Sequence, residues 1–181
     1  KNGRKLDAVA VSSGPGSYTG LRIGVSVAKG LCFGFGIPLI SIPTLELLAS
    51  TAINREGGAK EVLYCSMLDA RRMEVYAAIY RSDLSTVRKA SADIVTAETY
   101  AEWLQESPIC FFGNGSSKCK PVIDSPNARF LDDVHPLAAN MVSLANQRFE
   151  KAEFEDVAYF EPFFMGVSDN LQDEINGQNI D

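Results

Sequence analysis

The sequence predicts an α/β fold, and three observations carry that prediction. Short apolar runs of strand length alternate with segments whose apolar residues recur at helical spacing. The order is strand, helix, strand, helix as far as Gly57-Gly58, then grouped strands, then helix and strand in alternation. With 46% hydrophobic residues among 181, the chain can bury a real core, which excludes general disorder and a collagen-like chain.

Leu6 to Ser12 reads as a short buried strand that enters the turn Gly14-Pro15-Gly16-Ser17-Tyr18-Thr19-Gly20. From Leu21 to about Phe35, the residues Leu21, Val25, Ala28 and Cys32 recur at helical spacing, with Ile23, Val27 and Leu31 beside them. Only Arg22, Ser26 and Lys29 give this helix a polar edge, so it is expected to be buried on most sides and to stop at Gly34 and Gly36. Gly20, Gly24 and Ala28 form a small-residue strip on it where another backbone could approach. Pro38 to Ile42 is a second strand, and Thr44 is expected to cap a helix running to Gly57-Gly58, the expected lobe boundary.

Beyond that boundary, Glu61 to Leu68 and Glu74 to Tyr80 read as an antiparallel hairpin around Asp69-Ala70-Arg71-Arg72-Met73, and Val87 to Val95 supplies a third strand. Thr96 to Glu106 is expected to be helical, Ile109 to Phe112 and Ala128 to Leu131 to be strands, and Pro136 to about Lys151 to be an amphipathic helix. Three antiparallel strands followed by helix, strand, helix, strand, helix is the order of a ribonuclease-H-like lobe. Residues 1–57 then read as the back half of a similar lobe, 58–165 as a second lobe, and 166–181 as a flexible acidic tail.

Charge and cysteine usage narrow the function classes. The net charge of −6 is unevenly placed: Glu150 to Asp181 holds nine acids and one base, which leaves residues 1–149 at +2. A body so near neutral lacks the clustered basic face that direct nucleic-acid binding needs. Cys32, Cys65, Cys110 and Cys119 form no C-x-x-C pair and read as buried free thiols in a reducing, cytoplasmic compartment. No apolar run approaches the ~18 residues of a membrane span. The start at Lys1 has neither a methionine nor an apolar leader, and reads as a processed product or a fragment. The lone His135 removes every His-rich zinc pattern, and no metal site is expected.

Four places invite a chemical reading. The Gly14 to Gly20 turn precedes a helix N-terminus, where an anion is favoured. It is not a Walker A loop, lacks G-x-G-x-x-G, and fails as a nucleophile elbow because Pro15 stands where glycine is needed. The plainer reading is a tight turn with Ser17 or Thr19 as the cap. Asp69 ends a strand where a metal-bridged phosphate could sit, but the bulk of Arg71, Arg72 and Met73 argues for an Asp-Arg pair holding the turn. Gly113-Asn114-Gly115 could admit a flat base, and is equally an ordinary strand-to-helix turn. A hydrolase would need His135 with Ser12, Ser13 or Ser17 and Asp133; the spacing offers no support, and His135 before Pro136 reads as a helix start near Asp132 and Asp133.

The run Ser13-Gly-Pro-Gly-Ser-Tyr-Thr-Gly-Leu-Arg-Ile-Gly24, the helix reaching Ala28-Lys29-Gly30, the Pro38-Leu-Ile-Ser-Ile-Pro-Thr44 strand, and Leu68-Asp-Ala-Arg71 with Glu74-Val-Tyr76 together resemble the TsaB (YeaZ) family. The resemblance covers most of residues 6–165. It implies an actin-like (ASKHA) fold of two ribonuclease-H-like lobes and a non-catalytic activator that dimerises with a TsaD-like catalytic subunit in making threonylcarbamoyladenosine in tRNA. A TsaE-like ATPase is a further implied partner. The edge expected to be left unpaired on the Leu6 to Ser12 strand adds self-association as an expectation, and the near-neutral body adds only indirect contact with tRNA. It implies no cofactor of the chain's own, ATP entering at a subunit interface or through partner proteins. Carried onto this chain, Gly14, Gly16, Ser17, Thr19, Gly20, Arg22, Gly24 and Ala28 are signature and interface residues, while Asp69, Gly113 and Gly115 are the nucleotide-side candidates. The alternative is a nucleotide-binding, ATPase-like enzyme of the actin-like superfamily. Relative to the family, an N-terminal strand, hairpin and first helix are missing before Lys1, Met73 replaces a glycine, and Glu161-Pro-Phe-Phe-Met165 replaces a Pro-x-Tyr-Leu-Arg ending.

Overall fold

The computed structural model describes residues 5–164; the proposed acidic tail at 166–181 lies outside the described residues. The elements run β1 (Val9–Gly14), α1 (Tyr18–Phe35), β2 (Leu39–Pro43), α2 (Thr44–Glu56), β3 (Leu63–Asp69), β4 (Glu74–Tyr80), β5 (Thr86–Ile94), α3 (Ala101–Glu106), β6 (Ile109–Phe112), α4 (Ser116–Cys119), β7 (Ala128–Leu131), a 3-10 turn (Ala138–Met141) and α5 (Val142–Glu150). They form two sheets. β1 and β2 pair in parallel, and among the described residues β1 pairs with β2 alone; the other sheet has the order β5-β4-β3-β6-β7. Within it β3, β4 and β5 are antiparallel, and β6 and β7 run parallel to β3. This is the mixed α/β arrangement expected from the sequence.

α2 joins the two sheets. Leu45, Leu48, Ala49, Ala52 and Ile53 pack against the five-stranded sheet around Tyr64, Ala78 and Phe112. Leu47 packs with Ile40 and Ile42 of β2 and with Met141 and Leu144, so α5 also covers the small sheet. Apolar contacts on two sides, the Leu45, Leu48 and Ala52 row on one and Leu47 on the other, are what a helix between two sheets requires. The chain after α5 stays with the small sheet: Glu155 N–H donates to Leu39 O at 2.9 Å, Ser41 Oγ donates to Glu155 Oε1, and Phe163 N–H donates to Ser13 O at 2.7 Å.

Several expectations need correction. α1 is buried only along Leu21, Val25, Ala28 and Cys32, of which Ala28 and Cys32 pack with Val9, Val11 and Leu39, while its outer face is open. Gly34 lies inside α1, and the stop is Gly36 alone, in the left-handed region at φ +62°. Thr44 is not a cap. Pro43 holds the cap position without a side-chain bond, and the buried Thr44 hydroxyl shares a 2.6 Å hydrogen bond with Ser12 Oγ. Residues 96–100 do not join α3, because the Thr96 and Thr99 hydroxyls engage nearby backbone groups and close a turn first. The last helix starts later than Pro136, since Leu137 is extended (ψ 138°) and a 3-10 turn intervenes. His135 therefore lies upstream of the helix and is not its first residue.

Candidate functional site

At the Gly14 to Gly20 turn the start of α1 and the end of β1 meet the chain near Phe163. Ser17 Oγ accepts from Gly20 N–H at 3.3 Å, which makes Ser17, and not Thr19, the cap of α1. Gly14 has φ +104°, and a Cβ there would lie 2.2 Å from Phe163 O, so the 155–163 segment can reach Ser13 only past a glycine. Gly16 lies against Leu21. Arg22 Nη1 donates to Tyr18 Oη at 2.8 Å, its guanidinium stands 5.2 Å from the Tyr18 ring centroid, and Tyr18 meets Phe164. Lys29 Nζ donates to Ala158 O and Phe160 O at 3.0 and 3.1 Å, pinning the same segment across α1.

On the open side of α1, the row Ile23, Val27, Leu31 is 61%, 58% and 40% exposed. An i+4 row advances about 40° around a helix per step, so it turns gradually toward the body, and the falling exposure follows. The strip Gly20, Gly24, Ala28 turns in the same sense: Gly20 is exposed, Gly24 would bring a Cβ 3.9 Å from Val11, and Ala28 is buried. The three therefore do not share one surface as expected. Gly30 and Gly34 have nothing within 4 Å of an added Cβ and lie beside the exposed row. Sequence periodicity could not separate the inner row from the outer one, because both are apolar.

Asp69 ends β3 in the hairpin to β4. Its Oδ1 accepts from Arg71 N–H at 2.9 Å and pairs with the Lys118 ammonium, and its own N–H donates to Asn114 Oδ1 at 3.0 Å. The Lys118 ammonium beside it holds the Asp69 carboxyl below the usual carboxylate range. The expected Asp-Arg side-chain pair is thus replaced: Arg71 contributes only its backbone N–H, and the cation is Lys118. Nothing in the spacing of positions 69 and 118 signals that pair; it depends on β3 and β6 lying side by side.

Gly113 and Gly115 lie at the end of β6 against β3. Gly113 has φ +97°, and an added Cβ would lie 2.2 Å from Met67 O; one at Gly115 would lie 2.8 Å from the Leu68 carbonyl carbon. Backbone contact with β3 thus accounts for both glycines. Beyond them a cleft of about 280 Å³ is lined by Asn114, Ser117, Asp132, Asp133 and His135 among others. Ser17 belongs to the α1 corner, Ser12 is bonded to Thr44, and Ser13 receives Phe163, so the structure does not bring these serines to His135 as partners. Among the described residues no group of three or more His, Cys, Asp or Glu could hold a metal ion, and no helix is long and apolar enough to cross a membrane. All four cysteines are free and buried, and burial pushes the Cys110 thiol up to about 11.

Known proteins resemble this chain in sequence and in fold. A sequence profile described as "TsaD: tRNA N6-adenosine threonylcarbamoyltransferase" matches residues 2–166. The "tRNA threonylcarbamoyladenosine biosynthesis protein TsaB" of Escherichia coli (strain K12) is 31% identical over 166 residues, covering 88% of this chain and 71% of that protein. The protein of the same name from Bacillus subtilis (strain 168) is 33% identical over 124 residues, 66% of this chain and 51% of that protein, so the match spans about half that relative's length. Among solved structures, "YeaZ from Pseudomonas aeruginosa" superposes with a TM-score of 0.71 at 24% identity, over 88% of this chain and 74% of that one. A second, described as an uncharacterized protein with similarity to peptidase YEAZ from the same organism, gives a TM-score of 0.76 at 24% identity, over 89% and 74%. The fold is the actin-like (ASKHA) fold that the family resemblance implies. By the profile match and the Escherichia coli relative together, the chain belongs to the TsaB (YeaZ) family.

Proposed function

We propose that this chain works in the synthesis of threonylcarbamoyladenosine in tRNA as a non-catalytic scaffold and activator that dimerises with a TsaD-like catalytic subunit. The observation that carries the reading is the outer face of α1, where Ile23, Val27 and Leu31 stand exposed in one row beside Gly30 and Gly34. Exposed large apolar side chains aligned on a single helix mark an association surface, and neighbouring glycines let a second helix come near the 8 Å end of ordinary interaxial distances. The names of the relatives supply the pathway, and the near-neutral body supports reaching tRNA through partners and not by direct contact. A TsaE-like ATPase is the second proposed partner, the cytoplasm the proposed compartment, and two lobes meeting near Gly57-Gly58 the proposed domain division. Any ATP is proposed to enter at a subunit interface or through a partner. The test is co-elution of this chain with a purified TsaD-type subunit on size exclusion: a shared peak is expected, and two separate peaks at tens of micromolar would count against the reading.

The ATPase-like alternative is less well supported, because Asp69 is already neutralised by Lys118 and Gly113 and Gly115 are accounted for by contact with β3. Calorimetry with ATP decides it: no heat of binding is expected, and saturable binding to the isolated chain would restore it.

A further inference from the structure

The turn between β3 and β4 holds a cation that belongs to the chain itself. Lys118, on the single turn of α4, sends its ammonium into the hairpin, where three oxygens converge on one nitrogen: Asp69 Oδ1, Glu74 O at 2.6 Å and Arg71 O at 3.3 Å. An ammonium has three donors, and here all three are directed at oxygen. By contrast, Lys120 donates to the two oxygens of a single carboxylate, Asp132, and stands over the Phe130 ring. A carboxylate and two backbone carbonyls aimed at one point are a donor set of the kind hard cations accept. The hairpin is bent to aim them, since Arg71 and Arg72 both adopt positive φ, +75° and +43°, a conformation uncommon for residues other than glycine.

We propose that the Asp69 hairpin is a cation site whose resident cation is the Lys118 ammonium, and that this occupancy keeps divalent cations, and phosphates bridged through them, out of the hairpin. The claim concerns this chain alone and does not depend on any subunit partner. Replacing Lys118 by a neutral side chain leaves one carboxylate oxygen and two carbonyls facing a vacated volume. A site so poor in charge takes Mn²⁺ or Ca²⁺ with dissociation constants on the order of 10⁻⁴–10⁻³ M at best.

The test is paramagnetic broadening of amide NMR signals by Mn²⁺ in the full chain. At about 1 mM Mn²⁺, a concentration matched to weak sites of this kind, the wild type is expected to keep its Ala70 to Glu74 signals. Lys118→Met is expected to lose them selectively, and Lys118→Met combined with Asp69→Asn to keep them again. Equal broadening in the wild type overturns the proposal, as does a folded Lys118→Met variant that stays sharp. Lys118→Gln provides a second neutral variant with the same expected result. If both variants unfold, added Ca²⁺ should restore the fold by taking the vacated site, and failure to do so overturns the proposal equally.

Discussion

Replacing Gly113 by alanine tests whether the glycines after β6 serve packing or a ligand. The added Cβ would stand 2.2 Å from Met67 O and 3.4 Å from Leu48 Cδ1. Ordinary contact of a Cβ begins at 3.4 Å, so β3 must retreat by about 1 Å in a close-packed interior. Three costs follow. Alanine at φ +97° is strained by about 1–3 kcal/mol. Overpacking against β3 costs about 1–3 kcal/mol. The 3.1 Å bond from Gly115 N–H to Met67 O, made across the same contact, is worth about 1 kcal/mol. Together they reach about 3–7 kcal/mol, a large part of the 5–15 kcal/mol that holds a typical domain. Urea denaturation followed by circular dichroism reads it: with a slope of about 2 kcal/mol per molar, the midpoint should fall by about 1.5–3.5 M. Gly30→Ala is the matched control, because Gly30 lies in α1 with nothing within 4 Å of its Cβ position, and there alanine should stabilise by about 0.5–1 kcal/mol. If Gly113→Ala shifted the midpoint by no more than Gly30→Ala, the packing argument for Gly113 and Gly115 would be refuted.

Other outcomes follow from particular contacts. Asp93 is nearly buried and takes Arg88, Ser91 and Tyr100 as donors; Asp93→Ala leaves the Arg88 charge unpaired and should cost about 3–5 kcal/mol in thermal or urea unfolding. Tyr100→Phe removes a single donor to that carboxylate, at 2.6 Å, and should cost about 1.5–3 kcal/mol. Because Lys118 depresses the folded carboxyl of Asp69, its contribution is complete above the ordinary carboxylate range and is lost as pH falls through the lowered value. The wild type should therefore lose slightly more stability than Asp69→Asn on the acid side of pH 4, by less than about 1 kcal/mol at this half-exposed pair. The four buried thiols, Cys110 with its raised value among them, should resist alkylation at pH 8 in the native chain and react fully in denaturant, as mass spectrometry would show.

How far the sequence could be read depended on the range of the determining contact. β6 and β7 appear at the bounds their apolar runs predict, and the β3–β4 hairpin follows from two strand-length runs around a polar turn, because these are local signals. Boundaries failed where side chains competed locally, as at Thr96 and Thr99, or where a proline and an extended residue delayed a helix, as at Pro136 and Leu137. What was illegible was long-range: Lys118 reaching Asp69, Phe163 reaching Ser13, and Lys29 pinning the chain at Ala158 and Phe160. The outer face of α1 was half legible. Its apolar residues were plain, but which row faces outward depends on where β1 and β2 lie.

That outer row is the proposed contact with a catalytic partner. The direct measurement is the affinity of this chain for a TsaD-type subunit by calorimetry, compared with a variant carrying Ile23→Glu and Val27→Glu. Both positions are more than half exposed, so the melting temperature should hold, surface changes of this kind staying within about 0.5 kcal/mol each. The affinity should fall at least about 100-fold, since burying two unpaired carboxylates costs well over the ~2.8 kcal/mol that this factor represents. Unchanged affinity in the doubly substituted, fully folded chain would contradict the assignment of α1 as the docking surface.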